Sequence, residues 1–105
     1  MKTKFDINSA ESVAQTLKAI AHPIRLLILD TLEDCEKCVG QVADDVGVLQ
    51  SVASGHLGIM KDKGVVTARR CGTKVYYAIG NANVIRVMHC IFDNCQMVKG
   101  IDNGQ

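Results

Sequence analysis

The amino-acid sequence predicts a mainly α-helical domain with a single β-hairpin: four helices, the hairpin, then a last helix. Three observations predict it. Apolar residues recur at helical spacing as far as about Lys63, and β-branched and aromatic residues then dominate two short runs. From Asn83 onward the helical period returns.

Each element has a local cause. Ser9 and Ser12 offer N-caps to a first helix carrying Val13, Leu17 and Ile20 at i, i+4 and i+7. His22-Pro23 breaks that helix, and Pro23 suits the first turn of the next. The second helix, IRLLILDTLE, is apolar almost all round, as a central buried helix would be. VGQVADDV forms a short third helix ended by Gly47, and a fourth runs from about Gln50 to Lys63 before Gly64. VVTARR and KVYYAI are the strands, with Cys71-Gly72-Thr73 as the turn. In the last helix Val84, Val87, Met88, Ile91, Cys95 and Val98 share one side, with Arg86, His89 and Asp93 opposite. The ordered part is expected to span about 9–98, with residues 99–105 disordered.

The 105 residues fit one domain, enough to bury about two-thirds of the extended-chain surface in one core. Trp is absent and Phe and Tyr number two each, so that core is aliphatic. No apolar run approaches the ~20 residues of a membrane helix, and MKTKFDINSAES lacks the apolar stretch of a secretion signal. The expected setting is therefore cytoplasmic, with no membrane partner. Five cysteines, an odd number, then read as free thiols rather than a disulfide framework.

The net charge of +1 conceals segregation. Residues 30–45 carry Asp30, Glu33, Asp34, Glu36, Asp44 and Asp45 against Lys37 alone. Residues 61–74 carry Lys61, Lys63, Arg69, Arg70 and Lys74 against Asp62 alone. Such a chain can present one basic face to a polyanion.

Two short helices about a glycine turn, followed by a basic hairpin, describe a winged helix-turn-helix. The fourth helix is then the recognition helix. Ala53, Leu57 and Met60 form its inward stripe, and Gln50, Ser51, Ser54 and Gly55 a small polar outward face. Small residues admit a close approach to DNA, and Gln50 can pair bidentately with adenine. The face around Gln50, Ser51, Ser54 and His56 should enter the major groove of double-stranded DNA. Arg69, Arg70 and Lys74 should hold phosphates or the adjacent minor groove.

AHPIRLLIL followed by CVGQVADDVGVLQSVASGHLGIMKDKGVVTARRCGTKVYYAI resembles the ArsR/SmtB group of bacterial transcriptional repressors. The likeness runs from about Val13 to Ile79 and continues more loosely through the last helix. Its most specific pieces are His22-Pro23-Ile24-Arg25-Leu26, Gln50-Ser51, Ser54 with His56-Leu57, and Arg69-Arg70-x-Gly72 with Tyr76-Tyr77. The resemblance implies a homodimer joined through its first and last helices, bound to a palindromic operator and released by an inducing ligand or oxidant. The apolar stripes on the first and last helices independently call for a partner. The chain departs from the group's usual Ser at Leu49 and usual basic residue at Gly55. A lost N-cap costs about 1 kcal/mol, and a lost phosphate contact flattens the salt dependence by roughly one unit.

The motif 33-EDCEKCVGQVADD-45 places the C-x-x-C pair Cys35 and Cys38 in a run of carboxylates. Members of the group differ in what they sense, and the resemblance offers three sites. The zinc or cobalt site of the last helix matches Asn81, Asn83, Asn94 and Met97, which are poor zinc ligands. His89 and Asp93, spaced i, i+4, then read as a surface pair. A soft-ion site near the third helix uses a C-V-C pattern, of which Cys38 holds the first position and Gly40 the second. Cys35 can substitute as a chelating thiolate for arsenite, cadmium or lead, with a third from Cys71, Cys90 or Cys95. A persulfide or oxidant sensor would link the Cys95 position to the Asp30 position, so that Cys35 or Cys38 must stand in for the latter. No obligatory cofactor follows from any of these, only a soft metal or metalloid as inducer.

The carboxylates flanking Cys35 oppose further negative charge, whereas the helix N-terminus at Cys38 favours it. Cys38 is accordingly the expected reactive thiol and Cys35 its resolving partner. Two other readings stand beside this one: a repressor without a thiol inducer, and a C-x-x-C thiol oxidoreductase. The second requires the pair to open a helix after a strand in a βαβ unit, whereas here it follows a helix. The chain is therefore read as a repressor and not as an enzyme.

Overall fold

The computed structural model describes the backbone of residues 2–103 and the side chains of residues 2–94. Its elements are α1 (Ile7–Ile20), α2 (Pro23–Leu32), β1 (Lys37–Cys38), α3 (Val39–Val46), α4 (Gln50–Asp62), β2 (Val66–Cys71), β3 (Lys74–Ile79) and α5 (Ala82–Asn103). The winged helix-turn-helix is present, with one strand more than the sequence suggested.

Local chemistry sets the boundaries. The α1 cap is Asp6 rather than Ser9 or Ser12: its carboxylate accepts the Ser9 N–H at 2.8 Å, so the helix starts earlier. Pro23 opens α2, where the His22 ring nitrogen accepts the Ile24 N–H at 3.1 Å. Gly47 ends α3 in the left-handed region at φ 83°, which lets the chain turn sharply into α4. The wing turn is the two-residue Gly72-Thr73, with Gly72 at φ 65° and, among the described residues, only glycines at positive φ. Positive φ at the first turn position alone is the type II′ pattern, which matches strand twist.

The antiparallel sheet has the order β1-β3-β2. Lys37 and Cys38 pair with Tyr77 and Tyr76, so half of the C-x-x-C is a strand of the wing. Two residues carry too little period-2 signal to reveal a strand in the sequence. The core lies where α2, α3 and α4 meet the sheet, around Ile28, Leu29, Val42, Leu57, Met60, Val65 and Val66. The second helix departs from the all-round burial expected of it. Ile28, Leu29 and Leu32 are buried, while Leu26 and Leu27 are exposed in the single chain.

The last helix continues to Asn103, so 99–103, expected as a disordered tail, are helical. Gly104 and Gln105, the rest of that tail, lie outside the described residues. Among the described residues no helix is long and apolar enough to cross a membrane.

Candidate nucleic-acid interface

Helix α4 docks through Ala53, Leu57 and Met60, each wholly buried. Because side chains recur every 3.6 residues, that docking turns Gln50, Ser51 and Ser54 outward, and all three are exposed. His56 behaves differently. It is half-buried and faces α2, where its Nδ1 accepts the Arg25 Nε–H at 3.1 Å. Its ring also lies 4.5 Å from that of His22. Burial first, then the charges of His22 and Arg25, hold its pKa below the usual value, which suits an imidazole acting as acceptor. The Arg25 Nη1 also donates to the Ala19 carbonyl at 3.2 Å, tying α1, α2 and α4 together. His56 thus holds the recognition helix in place instead of joining its outward face.

The basic residues of the wing divide in the same way. Arg70 and Lys74 are exposed and make no ion pair among the described residues. Arg69 is engaged: its Nη2 contacts Glu36 Oε1 and its Nε donates to Glu36 Oε2 at 3.2 Å. Its guanidinium carbon sits 5.4 Å from the Tyr76 ring centroid. The Glu36 hydrogen bond first, then the Cys71 thiol beside it, push the Arg69 pKa further up. Glu36 is lowered correspondingly by Arg69.

The C-x-x-C joins the wing through β1 and leads into α3, which packs on the recognition helix. Cys38 is the N-cap of α3; its N–H donates to Gln41 Oε1 at 3.1 Å and its thiol lies 3.4 Å from the same oxygen. Cys35 is exposed, Cys38 half-buried, and Cys35, Cys38, Cys71 and Cys90 are all free thiols. Lys37 anchors the segment: its Nζ donates to Asp45 at 2.8 Å and to the Thr31 hydroxyl at 2.7 Å. Thr31 in turn donates to Asp45 at 2.6 Å. The Asp45 bond holds the lysine pKa up, and Lys37 and then Thr31 hold the carboxylate down. A Cβ on Gly40 would come within 3.3 Å of Gln50 Nε2, so a second C-V-C thiol there would press on the recognition helix. Cys38 does leave a strand and open a helix, yet β1 pairs antiparallel with β3, so this strand and helix are not part of a βαβ unit.

A third thiolate is not brought to this pair by Cys71 or Cys90. Among the described residues no three His, Cys, Asp or Glu side chains gather as a metal-holding group. The side chain of Cys95, the remaining candidate, lies outside the described residues. In the last helix Asn81 is already committed, its Oδ1 accepting the Asn83 N–H at 3.0 Å as the α5 cap. Its amide does not fit the role of a zinc ligand. His89 pairs with Glu33 at the end of α2 rather than with Asp93. The Glu33 bond and its charge raise the His89 pKa, with lesser help from Asp93 and Asp30.

Residues 22–68 match the family described as "Bacterial regulatory protein, arsR family". The chain is 30% identical over 83 residues to a biofilm growth-associated repressor of Xylella fastidiosa, covering 79% of this chain and 73% of that one. The chain belongs to the ArsR family. This ArsR-family protein is a DNA-binding transcriptional repressor and not an enzyme. Its fold matches a homodimeric winged helix-turn-helix DNA-binding domain from Mycobacterium bovis at a TM-score of 0.76 and 35% identity, with 91% of each chain covered. It also matches the antimony-specific repressor AntR at a TM-score of 0.80 and 25% identity, over 91% of this chain and 90% of that one.

Beta-strand 1, the Glu36–Arg69 and Lys37–Asp45 pairs, and the His56–Arg25 contact were missed by reading the sequence. The charge segregation was the available signal for the Glu36–Arg69 pair. It places an acidic run and a basic run in one small domain, and they meet at Glu36–Arg69.

Proposed function

We propose that this ArsR-family repressor binds a palindromic operator as a dimer and leaves it when a thiophilic signal engages Cys35 and Cys38. Gln50, Ser51 and Ser54 enter the major groove, and Arg70 and Lys74 hold phosphates beside it. The partner copy packs on α1 and α5, whose apolar residues line an open cleft of about 210 Å³ between Val13, Leu17, Ile20, Val84 and Val87. The single observation that carries the thiol reading is the position of the C-x-x-C. It contributes a wing strand through β1 and caps α3, whose Gly40 lies under Gln50. A soft metal or metalloid bound there, or a persulfide bond formed there, alters the support of both DNA-reading elements. AntR is named as antimony-specific, so antimonite belongs among the inducers to test beside arsenite, cadmium and a persulfide donor.

The DNA surface is tested with two variants on duplexes of its own promoter and of scrambled sequence. Arg70→Ala is expected to weaken binding on both and to lower the salt slope by about one. Gln50→Ala is expected to lose preference for the promoter, by about 1–3 kcal/mol of discrimination. Parental binding by both variants would mean that DNA lies elsewhere.

A further inference from the structure

We infer that Glu36, between the two cysteines, is a positioning residue of the DNA-binding surface: it holds the Arg69 guanidinium in place of a DNA phosphate. Arg69 then reaches the backbone of DNA only when this ion pair opens. The inference rests on the reading of the wing as a phosphate-binding element.

Strand register brings the groups together. Cys38 and Arg69 both lie opposite Tyr76, one on each flank of β3. Directly opposed residues project from the same face of a sheet, so thiol, ring and guanidinium form one row. Glu36 is two residues before Cys38 and in phase with that row, and it meets the end of Arg69 through two donors. A guanidinium fork fits a carboxylate and a phosphate by the same two-donor geometry, so one occupant excludes the other.

Exposure makes the exchange feasible. The Arg69 and Glu36 side chains are 57% and 39% exposed. An ion pair so open to water is weak, and a phosphate at the wing can displace the carboxylate. Arg70 alternates to the opposite face of β2 and has no such competitor among the described residues. The wing therefore carries one held arginine and one available arginine. Because Glu36 is covalently between Cys35 and Cys38, a ligand on the thiols moves the carboxylate on which Arg69 rests.

The test measures binding of the full chain to a random-sequence duplex across a salt series, since phosphate contacts are independent of sequence. Glu36→Gln is expected to bind roughly two- to fivefold more tightly at low salt. Its log–log salt slope should steepen by about 0.9, one added phosphate contact. Arg69→Ala in that background should remove both gains. Asp34→Asn deletes a charge from the same acidic run without touching Arg69, and should leave the slope as it was. An unchanged slope in Glu36→Gln, or tightening that survives in the double variant, would overturn the inference. So would weaker binding by Glu36→Gln with its helical circular dichroism intact. Arg70→Ala separates this failure from a broader one. If Arg70→Ala weakens binding while Glu36→Gln does nothing, only the role of Glu36 is lost; if neither matters, the wing is not a DNA contact.

Discussion

The body built from α2, α3, α4 and the sheet holds the shielded core, although its Leu27, Leu49, Val52 and Ile59 are exposed, while the two flanking helices leave most of their apolar faces open. Ile28, Leu29, Val42, Leu57 and Met60 are fully shielded within one chain. On α1 only Ala19 and Ile20 are buried, with Val13 52% and Leu17 45% exposed; on α5 Val87 and Ile91 are exposed at 40% and 58%. Contiguous apolar faces of this kind on a small domain mark an association surface. The body folds and presents the reading elements; in the proposed dimer the flanking helices carry the partner copy. The proposed dimer follows from that open face, just as the winged fold follows from the closed one.

Injuring each region separately should give the largest effects. Leu57→Ala leaves a cavity beneath the recognition helix and should cost about 2–5 kcal/mol in chemical denaturation. It should loosen the body whatever the oligomeric state. Leu17→Asp should leave a folded monomer, seen by sedimentation together with unchanged helical circular dichroism. Loss of the second half-site contact should then lower operator affinity by roughly a hundredfold or more. A Leu17→Asp protein that remains a dimer would remove α1 from the interface.

A smaller effect comes from two histidines that answer pH in opposite senses. His89 ties α5 to Glu33, and its folded pKa lies above the usual 6.5. That tie is at full strength below 6.5 and is lost as pH rises through the folded value. His56 lies in the body with its pKa below 6.5, so its contribution is present above 6.5 and lost as pH falls through the folded value. Hydrogen exchange should accordingly show α5 better protected at low pH and the α2–α4 contact better protected at high pH. Glu33→Gln should abolish the first trend and leave the second.

The fold was legible because its signals are repeated. Helical patterning recurs along the chain, and Gly47, Gly64 and Gly72 stand where the chain must turn. The outward face of α4 followed from Ala53, Leu57 and Met60, since fixing one stripe fixes its opposite. What escaped depends on contacts between distant residues. Glu36 and Arg69 stand 33 positions apart, and Arg25 and His56 stand 31 apart, so no local pattern announces either pair. His56 illustrates the cost: helical spacing alone put it near the outward face, whereas Arg25 draws it toward α2. Asp6 escaped for a different reason, since two serines farther along were equally good caps by residue type.

If the C-x-x-C governs release from DNA, as proposed, a titration of the bound complex shows it. Reduced protein bound to its promoter duplex is followed by fluorescence anisotropy while antimonite, arsenite, cadmium or a persulfide donor is added, for the parent and for Cys38→Ser. At least one reagent should release the parent, whereas Cys38→Ser should bind the duplex as tightly but no longer be released. Release of Cys38→Ser at the parental concentration of the same reagent would contradict that proposal.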